Sequence, residues 1–233
     1  MGKGWKTSIK AANAQKKGMA FTKLAREIQV AAKAGGADPQ MNSRLRLAID
    51  AAKKASCPVD TIERAIKKGS GQGHEGALVE EVTYEGYGPN GVGVIVECQT
   101  DNRNRTVPEI RQIFKSHGGH LGELGSVAWM FKRVSLIEAH KAGTFDPDEE
   151  AIEAGADEVE QSEDSFLFYG SPDSGDEIRK ALQVRGWVVT KAELAYKPTN
   201  PTTLTPEQHK VVEDFLSELD DYDDSHRVYA TLS

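Results

Sequence analysis

The sequence predicts an α+β fold: a basic N-terminal three-helix domain followed by two small α/β domains of the split βαβ type, the second inserted in the first. Three observations predict it. Apolar residues recur at helical spacing through residues 21–68, whereas β-branched runs separated by turn residues dominate residues 81–131. From residue 134 the composition turns acidic, and strand and helix patterns alternate again.

Residues 1–20 are predicted to form a basic arm. They contain one aromatic residue, Trp5, and too little apolar material for a core of their own. We expect a flexible arm that becomes ordered on an anionic partner. Trp5 could stack on a base or dock on the protein's own surface.

Residues 21–76 are predicted to form the basic helical domain and its linker. The pattern predicts helices over residues 21–33, from Asp38-Pro39 to about residue 55, and over residues 61–68. Asp38 would be the N-cap of the second helix, with Pro39 at its first position. The residues predicted to face the core of the second and third helices are Leu45, Ala48, Ile49, Ala52, Ile62, Ala65 and Ile66.

A central α/β domain is predicted from residues 77–133 together with residues 205–233. Residues 82–87 and 92–98 have the composition of strands joined by a Gly-Pro-Asn-Gly turn. Since this glycine-rich segment leads from strand to strand, it is a hairpin and not a nucleotide-binding loop. Thr106 and Glu109 predict a capping box that opens a helix, and residues 126–131 are predicted to form a further strand.

Residues 134–204 are predicted to form an inserted acidic α/β domain. Its predicted elements are a strand at 134–139, a helix at 148–154, a strand at 166–169, a helix at 176–184 and a strand at 188–194.

A second capping box, Thr205-Pro206-Glu207-Gln208, opens the last predicted helix. Its inward side is predicted to be Val211, Phe215, Leu216 and Leu219. Because this helix and a final strand at residues 227–232 are too small to fold alone, we expect them to return to the central domain.

The charge is strongly segregated along the 233-residue chain. Residues 1–72 hold 15 Lys/Arg against 5 Asp/Glu, whereas the remainder holds 14 against 31, for a net charge of −7. A basic segment of this kind is what polyanion binding requires, because phosphate neutralisation releases counterions locally. The ordinary alternative is a set of solvated, Lys-rich helices.

Individual cations differ in how well the helix dipole explains them. Lys67 and Lys68 complement a helix C-terminus, whereas Arg44 and Arg46 lie near a helix N-terminus, where the dipole disfavours cations. Arg103 and Arg105, beside a helix N-terminus, could bind phosphate or pair with Glu85 or Glu97. The predicted nucleic-acid-binding residues are Lys3, Trp5, Lys10, Lys16, Lys17, Lys23, Arg26, Arg44, Arg46, Lys53, Lys54, Lys67, Lys68, Arg103 and Arg105.

The sequence shows no recognisable catalytic or metal-binding motif. Its six His and two Cys have no metal-ligand spacing, and no HExxH, CxxC, G-x-S-x-G or P-loop sequence occurs. Asp148-Glu149-Glu150 lies at a helix start, where acidic residues are favourable in any case. We therefore expect a non-enzymatic protein without cofactor or metal. With no long apolar run and no disulfide pattern, we also expect a cytoplasmic protein.

Four stretches resemble the YebC-type family, which includes the mitochondrial translational activator of cytochrome c oxidase. They are FTKLAREI, DPQMNSRLRLAIDAAKKASCPVDTIERAIKKGSG, YEGYGPNGVGVIVECQTDNRNRT and GGHLGELGSVAWMF. The resemblance implies a three-domain cytoplasmic protein. The chain departs from the family at its start, where Gly2-Lys3-Gly4-Trp5 replaces a small-His-Ser-Lys-Trp run and fewer charges follow.

The expected function is a nucleic-acid-binding regulator of gene expression. Family members are described as DNA-binding transcriptional regulators, and some as ribosome-associated factors that relieve stalling at proline-rich stretches. Backbone contact is expected to outweigh base readout, because no recognition-helix pattern of Asn, Gln and Arg is evident. The resemblance favours a DNA-binding transcriptional regulator, with a ribosome- or rRNA-bound translation factor and a protein–protein adaptor as alternatives. Neither a membrane nor a small-molecule substrate is expected.

Overall fold

The computed structural model describes residues 4–72, 78–162 and 164–232, with side chains from Gly18 onward. These residues contain seven α-helices and eight strands. In chain order the elements are α1 (Gly4–Gly35), α2 (Ser43–Lys54), α3 (Val59–Gly69), β1 (Glu80–Tyr87), β2 (Gly93–Thr100), α4 (Arg103–Ser116), β3 (His120–Leu121), β4 (Phe131–His140), α5 (Pro147–Ala154), β5 (Glu158–Ser162), β6 (Ser165–Gly170), α6 (Gly175–Val184), β7 (Val188–Pro198), α7 (Pro206–Asp221) and β8 (Ser225–Ala230). In the described ranges, no helix is long and apolar enough to cross a membrane.

The predicted α+β class is confirmed. Three N-terminal helices precede two four-stranded antiparallel sheets, with strand orders β3-β1-β2-β8 and β5-β6-β4-β7. The chain divides into two compact units. One consists of Met1–Val127 with Leu204–Ala230, and the other of Ala128–Thr203 with Thr231–Ser233.

The three helices share one apolar core. The predicted inward residues Leu45, Ala48, Ile49 and Ala52 of α2 are buried, and Ile62 and Ala65 of α3 pack with them. On α1 they meet Ile28, Ala31 and Ala32. Helical spacing of small and branched apolar residues therefore located this core correctly.

Two helix starts differ from the prediction. The α1 backbone is helical from Gly4, so residues 4–20 continue the first helix instead of forming an irregular arm; their Ala, Lys and Gln content favours helix. Helix α2 begins after Asn42, not at Asp38-Pro39. The Asn42 side chain accepts a hydrogen bond from Leu45 N at 3.0 Å and donates to Ala31 O at 2.7 Å, so it caps one helix while holding the other.

The first sheet carries α4 and α7 on one face. Phe114 of α4 and Phe215 of α7 meet edge to face, with ring centroids 5.0 Å apart. The predicted turn between β1 and β2 is confirmed, with positive φ at Asn90 (58°) and Gly91 (77°). The capping box at Thr205 is also confirmed, and Phe215 and Leu219 of α7 are buried as predicted. Val212 is buried in place of Val211, which is 47% exposed.

The predicted capping box at Thr106 is wrong, because α4 begins four residues earlier, with Asn102 as its N-cap. The Asn102 side chain accepts a hydrogen bond from Arg105 N at 3.2 Å. Thr106 is fully buried inside the helix. Its hydroxyl serves tertiary contacts with Asp224 and Thr100 instead of a cap.

The predicted strand at residues 126–131 is also wrong. The third strand is only His120–Leu121, and Ala128–Met130 is a turn of 3-10 helix before β4. The buried Glu85 carboxylate accepts hydrogen bonds from Gly125 N at 2.8 Å and Val127 N at 2.9 Å. A side chain thus satisfies backbone groups that a strand partner would otherwise take.

The second sheet packs α5 and α6 against one face. Its core residues include Ile137, Phe168, Ile178, Leu182 and Trp187. Strand β5, Glu158–Ser162, was not predicted, since its sequence EVEQS carries one apolar residue. It is an edge strand that pairs with β6, and its burial pattern is largely exposed.

Candidate nucleic-acid interface

The solvent side of α2 carries three of the predicted cations, Arg46, Lys53 and Lys54, all exposed. Arg46 and Lys53 are seven residues apart, so they lie on one side of the helix about 10 Å apart along its axis. Asp50 lies on the same side. Within the part of the chain that is described, none of the three cations has an ion-pair partner.

Helix α3 adds cations near its C-terminal end. Lys67 is exposed and Lys68 is half-buried. Sequence reasoning missed Arg64, which is exposed and three and four residues before them, on the same side of the helix. Arg64 Nε donates to Asp60 O at 3.1 Å within the helix. The i, i+3, i+4 spacing of Arg64, Lys67 and Lys68 is the signal that could have identified it.

Arg44 belongs to an internal ion network instead of the surface. Its guanidinium lies 2.8 Å from Glu27 and 2.7 Å from Glu81. Burial lowers the Arg44 pKa, but the two carboxylates raise it by more, so the net shift is upward. These two carboxylates explain why a cation stands near a helix N-terminus at Arg44, a residue that was predicted from the sequence to bind nucleic acid.

Glu27 of α1 is the centre of that network. Its carboxylate also accepts a hydrogen bond from Gln99 Nε2 at 2.6 Å and lies 3.2 Å from His226 Nε2. Burial raises the pKa of Glu27, but the contacts from His226 and Arg44 lower it by more, leaving it well below the usual value. The network therefore ties the helices to β2 and β8.

A second carboxylate, Asp224, binds side chains of α1 and α4. It is 2% exposed and lies 2.9 Å from Arg26 and 2.8 Å from Arg105. Thr106 donates to it at 2.7 Å. Burial raises the Asp224 pKa, whereas the hydrogen bonds from Arg105 and Thr106 and the charge of Arg26 lower it by more.

Two α1 cations also contact the last turn of α7 and the segment that follows it. Lys23 donates to the carbonyl of Asp220, and Arg26 donates to that of Asp223. Terminal carbonyls of a helix lack intrahelical partners, so cations there are favourable. Lys23 and Arg26 are thus structural contacts of the first unit.

The predicted phosphate site at Arg103 and Arg105 is occupied by the protein's own acidic residues. Arg103 lies 2.8 Å from Glu80, and Arg105 pairs with Asp101 as well as Asp224. The alternative prediction, pairing with Glu85 or Glu97, names the wrong carboxylates.

The fifteen predicted residues therefore fall into three groups. Lys3 and the side chains of Trp5, Lys10, Lys16 and Lys17 lie outside what is described. Five others are held by carboxylates or carbonyls: Lys23, Arg26, Arg44, Arg103 and Arg105. The third group lies on α2 and α3, where Lys68 is half-buried and the others are exposed: Arg46, Lys53, Lys54, Lys67 and Lys68. Together with exposed Arg64, we call these six the α2–α3 basic face.

Other reactive groups are buried. Cys57 and Cys98 are free and buried, and burial raises the pKa of Cys98 to about 12, far from a reactive thiolate. Across residues 4–72, 78–162 and 164–232, no three His, Cys, Asp or Glu side chains are grouped as a metal site.

Comparison with known proteins places this arrangement in a family. The chain is similar to the probable transcriptional regulatory protein Bd1964 of Bdellovibrio bacteriovorus, with 65% identity over 232 residues and full coverage of both chains. A probable transcriptional regulatory protein of Pseudomonas syringae pv. tomato is 49% identical over 236 residues, again with full coverage.

The crystal structure of a conserved hypothetical protein, Aq1575 from Aquifex aeolicus, has the same fold. It matches with a TM-score of 0.85 and 42% identity, covering 94% of this chain and 90% of that one. Two family models also match, the TACO1/YebC protein N-terminal domain over residues 4–72 and the TACO1/YebC second and third domain over residues 79–232. Since these models together span nearly all of the sequence, the chain belongs to the TACO1/YebC family.

Proposed function

We propose that the protein is a non-enzymatic nucleic-acid-binding regulator that holds the phosphate backbone on the α2–α3 basic face. The observation that carries the proposal is Arg46. It is exposed near the N-terminal end of α2, where the helix dipole opposes a cation, and no carboxylate among the described residues pairs with it. Lys53 lies on the same side of α2, and α3 carries the further exposed cations Arg64 and Lys67.

DNA is the preferred polymer. Relatives that match along the whole chain are named probable transcriptional regulatory proteins, which favours a transcriptional role. The cations are exposed Lys and Arg on helix surfaces, a chemistry suited to phosphate contacts that carry no sequence information. We therefore expect weak sequence preference. Two free, buried cysteines agree with a cytoplasmic location.

The same basic face would also hold ribosomal RNA, because phosphate contacts do not identify the polymer. A ribosome-associated factor that relieves stalling at proline-rich stretches is the alternative function. A protein adaptor that docks these cations on an acidic partner is the further alternative. Sedimentation of lysate through sucrose at low and high salt, with and without DNase, separates DNA from the ribosome as the partner. Loss of association after DNase supports DNA, and persistent co-sedimentation with ribosomes supports the alternative.

Charge reversal tests the basic face directly. The triple variant Arg46→Glu, Lys53→Glu and Lys54→Glu should lose at least about tenfold in affinity for a duplex in fluorescence anisotropy at low salt, because several phosphate contacts become repulsive. The matched control reverses three exposed lysines elsewhere, Lys115, Lys132 and Lys210, with the same change in net charge. Equal losses in both triple variants would contradict a localised interface.

A further inference from the structure

The helical domain, α1 to α3, has an apolar core of its own. Every member of that core lies between Phe21 of α1 and Ile66 of α3, and Ile28, Leu45 and Ala52 are fully buried in it. Burial of apolar surface is the dominant favourable term in folding. The three helices therefore obtain this stabilisation from one another.

Polar and ionic contacts attach the helical domain to the remainder of the first unit. We call them the docking contacts; they join the first sheet, α7 and the segment after α7 to four charged side chains of the helices, Lys23, Arg26, Glu27 and Arg44. A cleft of about 300 Å³ lies beside them, lined by Arg26 and Lys68 on the helical side and by Asp101 on the other. A polar interface of this kind inside a chain resembles a transient protein–protein interface, across which relative motion is expected.

Both carboxylates at the centre of this interface, Asp224 and Glu27, would keep a partner if the helical domain moved away. Asp224 would retain Arg105 and Thr106 of α4, at 2.8 and 2.7 Å. Glu27 would retain Arg44 of α2, at 2.8 Å. Breaking an ion pair is most costly when one charge is left buried and alone, so this arrangement lowers the cost of separation.

Lys23 and Arg26 differ from these carboxylates, because their side-chain partners among the described residues all lie across the interface. Arg26 pairs with Asp224 at 2.9 Å and donates to the carbonyl of Asp223. Lys23 donates to the carbonyl of Asp220. Separation would therefore make these two cations available to an external anion.

We propose that the docking contacts are autoinhibitory: they withhold Lys23 and Arg26 from a polyanion, and a phosphate chain on the α2–α3 basic face displaces Asp224 and releases the helical domain. The proposal rests on the function proposed above and adds its regulation. Arg26 lines the same cleft as Lys68, so a chain held by Lys68 lies next to a withheld cation. Phosphate, like carboxylate, is a strong acceptor for a guanidinium group. A ligand shifts a conformational equilibrium only through its differential affinity for the two states, and Lys23 and Arg26 supply that difference.

Energy transfer between two labelled positions tests the release in the full-length protein. Ala34→Cys on α1 and Asp214→Cys on α7 place a donor and an acceptor at exposed positions, whereas the native Cys57 and Cys98 are buried. We expect transfer to fall as a short DNA duplex saturates the protein at low salt. A neutral polymer at the same mass concentration should leave transfer unchanged.

A double variant on the sheet side weakens docking without changing a helical residue. Glu81→Gln and His226→Gln remove contacts that β1 and β8 make with the helices. Transfer without duplex should fall, and duplex binding should tighten by about threefold, because a docked fraction that binds less tightly lowers the apparent affinity. The matched control, Glu109→Gln with His140→Gln, makes the same residue changes at exposed positions and should alter neither quantity.

A second double variant separates the movement from the released cations. Lys23→Gln with Arg26→Gln should also lower transfer without duplex, but binding should not tighten, since the cations that would meet phosphate are gone. Circular dichroism melts verify that each variant is folded.

The outcomes are separable. Duplex binding with unchanged transfer overturns the autoinhibition and leaves the proposed function standing. Equal tightening in the matched control, or in the variant of Lys23 and Arg26, overturns it as well, because net charge or movement alone would then account for the gain. Absence of duplex binding by the wild-type protein at low salt overturns the proposed function itself.

Discussion

Arg44 and Arg46 are two positions apart on α2 and have the same formal charge, but their surroundings differ. Arg44 contacts Glu27 and Glu81, and through Glu27 it reaches Gln99 and His226. Arg46 is exposed, with no carboxylate partner among the described residues. The first is held by carboxylates of its own unit while its side chain stays partly exposed, and the second is available to a ligand.

Reversing the charge at Arg44 should therefore affect mainly stability, whereas reversing it at Arg46 should affect mainly binding. Arg44→Glu places a third carboxylate beside Glu27 and Glu81. Because Arg44 and Glu81 are partly exposed, solvent screens the repulsion, and the free energy of unfolding should fall by about 1–2 kcal/mol. For a chain of this length that corresponds to a fall of roughly 2–8 °C in melting temperature. Arg46→Glu should change stability by less than about 0.5 kcal/mol and should weaken duplex binding. Thermal melts followed by circular dichroism measure the stability of both variants, and anisotropy on the same samples measures duplex binding. Equal melting temperatures for Arg44→Glu and Arg46→Glu would contradict the ion network around Glu27.

Glu150 gives the second unit a pH-dependent contact. Its carboxylate accepts hydrogen bonds from Lys141 at 2.6 Å, Arg185 at 2.8 Å and Trp187 Nε1 at 3.0 Å. The hydrogen bond from Lys141 lowers the pKa most; burial opposes it, the bonds from Trp187 and Arg185 add to it, and the pKa falls to about 2. The ordinary value for Glu is about 4.3. The stabilisation is therefore present above about pH 4.3 and is lost as the pH falls toward 2.

Glu150→Gln should remove that dependence. At pH 7 we expect the variant to be less stable by about 1–3 kcal/mol, because charge-assisted hydrogen bonds are lost. The difference from wild type should shrink between pH 4.3 and pH 2, since the wild-type carboxylate becomes protonated there. Urea unfolding followed by tryptophan fluorescence at pH 7, 4 and 3 measures it. Glu149→Gln, at the exposed neighbouring position, is the control, and a constant gap at all three pH values would refute the assignment.

At the scale of elements, periodicity predicted most helices and strands, while their boundaries depended on tertiary partners. The start of helix α4 could not be predicted correctly from the sequence. Thr106 is a residue type that commonly caps helices, but its hydroxyl donates to Asp224, 118 residues away in the chain. Likewise the segment before β4 looked like a strand, but Glu85 binds its backbone instead. Long-range side-chain contacts of this kind leave no local pattern to read.

Two glycines allow the packing of elements to be tested separately from helix propensity. A Cβ on Gly88 would lie 2.5 Å from the Phe215 ring of α7. Its φ of −78° is allowed for alanine. Gly88→Ala should therefore destabilise the protein by about 1–3 kcal/mol through overpacking alone.

Gly18→Ala, in α1 with nothing within 4 Å of the new atom, should stabilise the protein by about 0.5–1 kcal/mol through helix propensity. Chemical denaturation of both variants measures these changes, and a loss in Gly18→Ala would contradict a continuous α1.

At the scale of the whole molecule, the sequence predicts a basic N-terminal segment. The structure adds which of its described cations are exposed and which are paired. The segregation of charge can be counted from the sequence alone, but the ion pairs cannot. Arg26 and Arg105 both pair with Asp224, which is more than 100 residues away in the chain. Arg44 pairs with Glu27 and Glu81, which lie on other elements. The acidic C-terminal end of α7 thus meets part of the basic segment within one unit. Within the part of the chain whose side chains are described, the smaller α2–α3 basic face remains available to a polyanion.

That reduction makes the salt dependence of binding a quantitative test. Each phosphate neutralised contributes about −0.9 to the slope of log K against log salt on duplex DNA. Six cations on the face therefore limit the slope to about −5 if these residues alone make the contacts. Lys53→Ala with Lys54→Ala should make the slope shallower by about 2, whereas Lys115→Ala with Lys210→Ala should leave it unchanged. Anisotropy titrations from about 50 to 200 mM salt provide the slopes. A wild-type slope near zero would mean that phosphate contacts do not drive binding. A slope far steeper than −5 would mean that the cations of α1 before Gly18 also contact phosphates.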